Sequence, residues 1–328
     1  MKKVLLPWPT DEEMANVIAD AKVELAELRR VAEVTTAPIV SEQEWFEKSE
    51  DAYAITRPRI KIDSYPAFLQ QAKELKMIQT PSVGYNGIDI AACTEHGVVV
   101  CNVAEIMAES VAQHTWALIL DVSKNVSKSD RVMRSGGWMR HFGIQLFGKT
   151  LGLVGIGDIG GRVALKGASA FGMNVLAYDP FVLPARAQLY GATLVDLETV
   201  LKESDVISIN CPLTRDTHHL IQAEQLKLLK PTAILVNTAR GPIINELDLI
   251  AALENQQFYG AGLDVFEEEP LSPTSPLRKF ENVVISCHIS SSTKEAFRLT
   301  WKGAVNNILR CVKGQRPHWI VNPSAFNL

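Results

Sequence analysis

Cysteine is scarce and scattered in this chain: Cys93, Cys101, Cys211, Cys287 and Cys311 are odd in number, and no two stand as C-x-x-C. Such a set makes neither a disulfide framework nor a zinc site, so a metal-free, cytoplasmic protein is expected. Positive charge is not in excess: 33 Lys and Arg against 37 Asp and Glu leave a formal charge of −4. No global basic surplus therefore points to nucleic acid. No apolar run approaches the roughly 20 residues that span a bilayer, and the short run after Met1-Lys2-Lys3 falls short of a signal peptide's apolar core. Low-complexity segments are missing too, and no repeat stands out beyond an alternation of βα units in each half. What remains is 328 residues with 47% hydrophobic content, enough for two globular domains.

What is present centres on 150–179. Apolar residues 151–154 read as a buried strand, Gly155, Gly157 and Gly160 give G-x-G-x-x-G, residues 162–171 read as a helix, and 174–178 as a second strand ending at Asp179. Each glycine has a physical job: a tight turn at Gly155, close approach of backbone to a pyrophosphate at Gly157, and close helix-on-strand packing at Gly160. The helix start offers unpaired N–H groups and a positive dipole end to phosphates. Asp179 is placed to accept from a ribose diol and to repel a 2′-phosphate, which favours NAD over NADP. The glycines alone equally describe an ordinary turn; strand, helix, strand and acid in register make a dinucleotide site.

Residues 1–100 alternate short apolar runs (4–6, 31–35, 53–56, 77–79, 98–101) with helical patterns (11–30, 42–49, 65–73). Thr10 with Glu13, and Ser41 with Glu44, form capping boxes that mark two helix starts. The order implies a parallel, doubly wound sheet without the glycine fingerprint, hence not the cofactor domain. A long helix over 105–124 precedes 129–147, a stretch of little periodicity around Gly136-Gly137-Trp138 that reads as an arm or a subunit contact. From 151 the alternation resumes, with strands near 206–210, 233–237, 260–265 and 283–287, helices near 196–203, 222–229 and 245–255, and a last helix over about 292–313.

In open α/β sheets ligands sit beyond the carboxyl ends of the strands. Three of those ends carry chemistry: Arg240 beside Gly241, the acids Glu267 to Glu269 after Asp264, and His288. An arginine fork can hold a carboxylate and polarise the adjacent carbonyl, a histidine can pass the proton that accompanies a hydride, and a carboxylate can orient that histidine. The set suits hydride transfer to a 2-oxo acid. Taken singly, Arg240 also reads as a loop cap and the acids as a solvated turn. His96, His114, His141, His218, His219 and His318 fall on helices or loops and read as surface or structural groups.

At these residues the chain resembles the D-isomer-specific 2-hydroxyacid dehydrogenases, the family of D-phosphoglycerate dehydrogenase and glyoxylate/hydroxypyruvate reductase. The landmarks are Ser82-Val-Gly-Tyr-Asn-Gly-Ile-Asp89, the 155–160 glycine loop, Cys211-Pro-Leu-Thr214 with Thr217, Asn237-Thr-Ala-Arg-Gly241, Leu263-Asp-Val-Phe-Glu-Glu-Glu-Pro270 and His288-Ile-Ser-Ser-Ser-Thr293. The resemblance implies an α/β protein of two doubly wound parallel-sheet domains. A Rossmann NAD-binding domain, 102–290, is inserted into a flavodoxin-like substrate domain made of 1–101 and 291–328. It implies His288 as acid/base, Glu269 as its partner and Arg240 as substrate anchor, with backbone N–H groups of Val83 and Gly84 holding the substrate carboxylate. Asp158, Ile159, Asp179, Cys211, Pro212, Thr217, Thr238, Ala239, Arg240, Asp264, His288, Ser290 and Ser291 line the NAD site on this reading, Asp264 near the nicotinamide carboxamide. A homodimer through 105–148 is implied as well.

The chain departs from the family pattern in three places. Gln113 stands where many members have Glu, Ser290 and Ser291 replace small residues, and the chain stops soon after the last helix, so no regulatory C-terminal extension or serine feedback is expected. The loop Thr56-Arg57-Pro58-Arg59-Ile60-Lys61 is either a solvated basic loop or, through Arg57 or Arg59, a seat for a second anionic group on the substrate: phosphate, sulfonate or carboxylate. An NADH-binding, corepressor-like regulator on the same fold is the alternative to the enzyme. A third reading keeps the fold and takes formate or phosphite.

Overall fold

In this computed structural model, residues 1–7, 21–57, 60, 62–85 and 87–326 are described. The chain divides into two compact units, Met1–Met107 with Ser292–Leu328, and Ala108–Ser291. These crossings stand at 107/108 and 291/292, against the 101/102 and 290/291 drawn from the sequence. Residues 102–107 stay with the first unit because Asn102 N donates to Trp319 O, Gln79 Nε2 donates to Asn102 O, and Val103 N donates to Ser82 O.

The first unit contains β1 (Lys2–Pro7), α1 (Lys22–Val31), β2 (Ala32–Ala37), α2 (Glu42–Ser49), β3 (Ala54–Thr56), α3 (Tyr65–Gln71), β4 (Met77–Gln79), α4 (Ile90–Glu95) and β5 (Val99–Cys101). Its strands are all parallel in the order β2-β1-β3-β4-β5, the flavodoxin-like winding. The Thr10–Glu13 box and residues 11–20 of the expected first helix lie outside the described residues. At α2, Ser41 Oγ accepts from Glu44 N at 3.2 Å, while Glu44 Oε2 accepts from Val40 N at 3.0 Å, one residue earlier than a strict capping box requires.

The second unit contains α5 (Ala108–Lys124), α6 (Val126–Arg134), β6 (Thr150–Val154), α7 (Asp158–Phe171), β7 (Asn174–Tyr178), α8 (Pro184–Leu189), β8 (Ala192–Leu194), α9 (Leu197–Glu203), β9 (Val206–Ile209), α10 (Ala223–Leu226), β10 (Ile234–Asn237), α11 (Glu246–Glu254), β11 (Gly260–Leu263) and β12 (Val283–Ile285). The last helix, α12 (Lys294–Val312), packs Val305, Ile308 and Leu309 into the first unit's core with Leu6, Leu28 and Met77. The second sheet is also fully parallel, in the order β12-β11-β10-β9-β6-β7-β8. Strand order reverses at β6 and β9, the switch point where a dinucleotide binds in this winding.

Helices cover both faces of the second sheet, so its central strands are apolar on both sides and read as unbroken runs rather than alternating ones. Ile207, Ile209 and Leu235 pack with Val200, Leu226 and Leu253, whereas Val206, Ile234 and Val236 pack with Trp116, Ile119 and Val163. Each such aliphatic side chain contributes roughly 1.5–3 kcal/mol when fully buried. The α6 helix differs, with no buried residue, and the segment after it exposes Trp138, Phe142 and Phe147 at 80, 99 and 74%. No helix among the described residues is long and apolar enough to cross a membrane.

Candidate active site

The site is built from five loops at the carboxyl ends of β6, β7, β9, β10 and β11, joined by the one after β12. Gly155 turns the chain at φ +93°, and a Cβ there would lie 2.7 Å from Cys211 N, so only glycine lets the first loop sit against the loop after β9. A Cβ on Gly160 would collide with the Gly155 carbonyl, whereas one on Gly157 would meet nothing within 4 Å. The crowded glycines shape the turn, and the open one leaves space for phosphate oxygens. Gly157 is the N-cap of the 14-residue α7 and makes no side-chain cap bond, so the helix start keeps its N–H groups for an anion. Asp158 and Ile159 are part-exposed in its first turn; Arg186 Nη2 lies 3.4 Å from Asp158 Oδ1. Asp179 ends β7 part-buried, its oxygens accepting from Ile156 N and Phe181 N at 3.0 Å each. Those bonds hold the carboxylate beside the glycine loop and leave each oxygen a lone pair. This donor set and cradle fit NAD.

After β9, Thr217 Oγ1 donates to Pro212 O at 2.6 Å and accepts from Thr214 N at 2.7 Å, closing the 211–217 loop. Burial pushes the Cys211 thiol up to about 12, which keeps it a neutral packing group. After β10, Asn237 clamps the turn: its amide donates to Arg240 O at 2.9 Å and its oxygen accepts from Ala239 N at 3.0 Å. Thr238 is buried, 2.8 Å from Thr115 Oγ1 on α5. A Cβ on Gly241 would overlap the backbone of Phe266 and Glu267, so glycine permits the Arg240 turn to touch the Glu269 loop. Burial draws the Arg240 guanidinium below its ordinary value while the Glu269 charge opposes that.

Glu269 Oε2 is 2.7 Å from His288 Nδ1, and Oε1 accepts from Phe266 N at 3.1 Å. Burial on its own would raise the Glu269 carboxyl. The bonds from His288 and Phe266, with the charges of His288 and Arg240, hold it below the usual range instead. Guanidinium, carboxylate and imidazole, read separately from three strand ends, are thus brought together. His288 sits in the left-handed backbone region at φ 54°, uncommon for residues other than glycine.

Asp264 explains how that conformation persists. It has no exposed side-chain surface, and its carboxylate accepts from Ser286 Oγ at 2.6 Å, Ile289 N at 2.9 Å and Ser290 N at 2.8 Å, while its carbonyl accepts from His288 N at 2.8 Å. Although burial opposes ionisation, His114 and these donors outweigh it and hold the carboxyl far below the ordinary carboxylate range. Ser290 is buried and Ser291 half-buried in the same loop. The carboxylate expected beside a carboxamide is engaged with the chain's own loop.

Two histidines read as surface or structural groups touch these loops. His114 Nε2 is 3.0 Å from Ser286 Oγ and 3.5 Å from Asp264 Oδ1. His219 Nε2 is 2.7 Å from Glu267 Oε1, so Glu267 is paired rather than simply solvated. Helical spacing gave no sign of either partner, because both contacts are made between residues distant in the chain.

Val83, Gly84 and Arg57 belong to the first unit. The carbonyl of Val83 accepts from Asn102 Nδ2 at 3.0 Å and that of Gly84 from Ser82 Oγ at 2.8 Å; their N–H groups have no hydrogen-bond partner among the described residues. Arg57 lies against Gly87 and its charge is felt by the buried Tyr65 hydroxyl, which burial pushes up to about 12. Arg59 lies outside the described residues. Among the described residues no cluster of His, Cys, Asp and Glu could hold a metal.

A sequence model described as the D-isomer specific 2-hydroxyacid dehydrogenase, NAD binding domain, matches residues 116–290. A glyoxylate reductase of Thermofilum pendens is 40% identical over 281 residues, 82% of this chain and 80% of its own length. A D-3-phosphoglycerate dehydrogenase of Methanocaldococcus jannaschii is 36% identical over 326 residues, 98% of this chain and 60% of its own. A solved glyoxylate reductase from Paecilomyes thermophila superposes with a TM-score of 0.88 at 27% identity, over 98% of both chains.

Proposed function

The chain belongs to the D-isomer-specific 2-hydroxyacid dehydrogenases, NAD-dependent oxidoreductases, and from that premise we propose that it reduces a small 2-oxo acid to its D-2-hydroxy acid with His288 as proton donor. The observation that carries this is the 2.7 Å contact of His288 Nδ1 with Glu269 Oε2, within charge-coupling range of Arg240. The reduced cofactor, NADH, would supply the hydride for the substrate's keto carbon and leave as NAD+, the proton coming from His288. Gly155 to Gly160, Asp179 and the part-exposed Asp158 and Ile159 are the residues to hold its phosphates and ribose, with Cys211, Pro212, Thr238, Ala239, Ser290 and Ser291 along its length.

With Nδ1 engaged by Glu269, Nε2 of His288 is left to give a proton to the keto oxygen and to take it back in the reverse direction. Glu269 fixes the ring orientation and stabilises the imidazolium. Arg240 binds the substrate carboxylate and polarises the carbonyl. Within the first unit, the N–H groups of Val83 and Gly84 are candidates to bind a carboxylate, and Arg57 a second anionic group where the substrate has one. The relatives' names, glyoxylate reductase and D-3-phosphoglycerate dehydrogenase, support this substrate range.

The exposed aromatic residues after α6 fit burial against a second copy through 105–148, which light scattering tests as twice the 36.2 kDa chain mass. Five free cysteines suit a reducing compartment such as the cytoplasm. The deciding assay offers glyoxylate, hydroxypyruvate, phosphohydroxypyruvate, sulfopyruvate and 2-oxoglutarate with NADH and with NADPH. Turnover of at least one with NADH, and weaker turnover with NADPH, is expected. Tight NADH binding without turnover of any of them would favour a nucleotide-binding regulator.

A further inference from the structure

The acid/base loop is held by a relay that begins on α5. Ser286 Oγ lies 2.6 Å from Asp264 Oδ1 and 3.0 Å from His114 Nε2. A hydroxyl carries one proton, and an ionised carboxylate can only accept. Ser286 therefore donates to Asp264, and His114 must donate its Nε2–H to Ser286. Asp264 in turn accepts from the N–H groups of Ile289 and Ser290, and through its own carbonyl from His288 N. The chain of bonds runs from one helix to both sides of a residue held at φ 54°.

Packing explains why His114 can reach. Leu118 follows it by four positions on the same face of α5, and a Cβ on Gly262 would lie 2.9 Å from Leu118 Cβ. Glycine at 262 thus seats α5 closely on β11, two residues before Asp264. Thr115, next to His114, makes the neighbouring contact with Thr238. The side chain of His114 is 22% exposed and has no role in the proton transfer derived above.

We infer that His114 is a positioning residue for His288, acting through Ser286 and Asp264. The inference rests on His288 as the acid/base. His114 sets where the His288 ring stands when the proton moves, and it leaves nucleotide and substrate binding to other groups. Its loss lowers kcat and spares KM for NADH.

The test compares His114→Phe, which keeps a ring and removes the donor, His114→Gln, which keeps a donor, Ser286→Ala and the His114→Phe/Ser286→Ala pair in the full chain. His288→Ala is the reference. About tenfold lower kcat is expected for His114→Phe and for Ser286→Ala, equivalent to about 1.4 kcal/mol in the barrier. The double variant should be no worse than the worse single one, as for groups acting in series. His114→Gln should recover most of the loss, and KM for NADH should stay within about twofold in all of them. Wild-type kcat in His114→Phe, equal loss in His114→Gln, or additive losses in the double variant would overturn the inference. If His114→Phe does not fold, unchanged kcat in Ser286→Ala overturns it as well. Near wild-type turnover by His288→Ala would instead remove the acid/base reading beneath it.

Discussion

The two parallel sheets finish their strands in different ways. In the seven-stranded unit, side chains tie separate strand-end loops to one another: His288 to Glu269, Asp264 to Ser286, Ile289 and Ser290, and His219 to Glu267. In the five-stranded unit the loop after β4 is tied by neutral groups, Ser82 Oγ donating to Gly84 O at 2.8 Å and accepting from Thr80 Oγ1 at 2.7 Å while Asn102 Nδ2 donates to Val83 O, and the buried Nε of Arg57 has no hydrogen-bond partner among the described residues. Both sheets share the winding that places ligands at strand ends. Among the described strand-end residues, the charged side chains fixed to one another across loops, His288 to Glu269 and His219 to Glu267, belong to the seven-stranded sheet. Topology supplies the edge, and the cross-loop bonds set Glu269 against His288 there.

That contrast is sharpest at Arg240. Replacement by Ala removes the half-buried guanidinium whose charge acts on Glu269, and kcat/KM for any accepted 2-oxo acid should fall by about 10³-fold. Steady-state kinetics checks this; a loss below about fivefold would break the distinction between the two sheets.

Asp264 gives an intermediate effect, read as stability. Its carboxyl is held below the ordinary value of 3.8, so the unfolded chain binds that proton more readily than the folded one. The stabilisation is full above about pH 4 and is lost as pH falls further. Asp264→Asn should be less stable than wild type by about 2 kcal/mol near neutral pH, and the Tm difference should shrink in acid. A difference that stays constant from neutral pH into acid would contradict a stabilising role for the ionised Asp264 carboxylate.

Arg57 gives the smallest. Arg57→Ala should leave turnover of glyoxylate within about twofold while raising KM for a substrate with a second anionic group by about tenfold, as loss of one charge-assisted hydrogen bond implies. Equal KM values for both substrate classes would reduce this arginine to a basic loop residue.

Much of this was legible in the chain itself because it is local. Unbroken apolar runs marked the buried parallel strands, and the glycine spacing with Asp179 marked the nucleotide end. The rule that chemistry gathers at strand ends picked out Arg240, Glu269 and His288. Elements were missed where that signal is weak: α4, α8 and β8 are only six, six and three residues long, and α6 buries nothing. The α7 helix begins at Asp158, not 162, because its first turn overlaps the glycine pattern. The α10 helix ends at Leu226, short of the expected 229. The relay from His114 was illegible for a different reason. Its partner Ser286 is 172 residues away, and Gln113, the departure noted beside it, bonds Glu109 on the exposed face at 2.9 Å.

The most direct measurement is a single turnover of NADH-loaded His288→Ala with the best 2-oxo acid, alongside NADH binding by the same preparation. The account predicts wild-type NADH affinity with hydride transfer slowed by about 10³-fold or more. Transfer at the wild-type rate with NADH bound normally would contradict it.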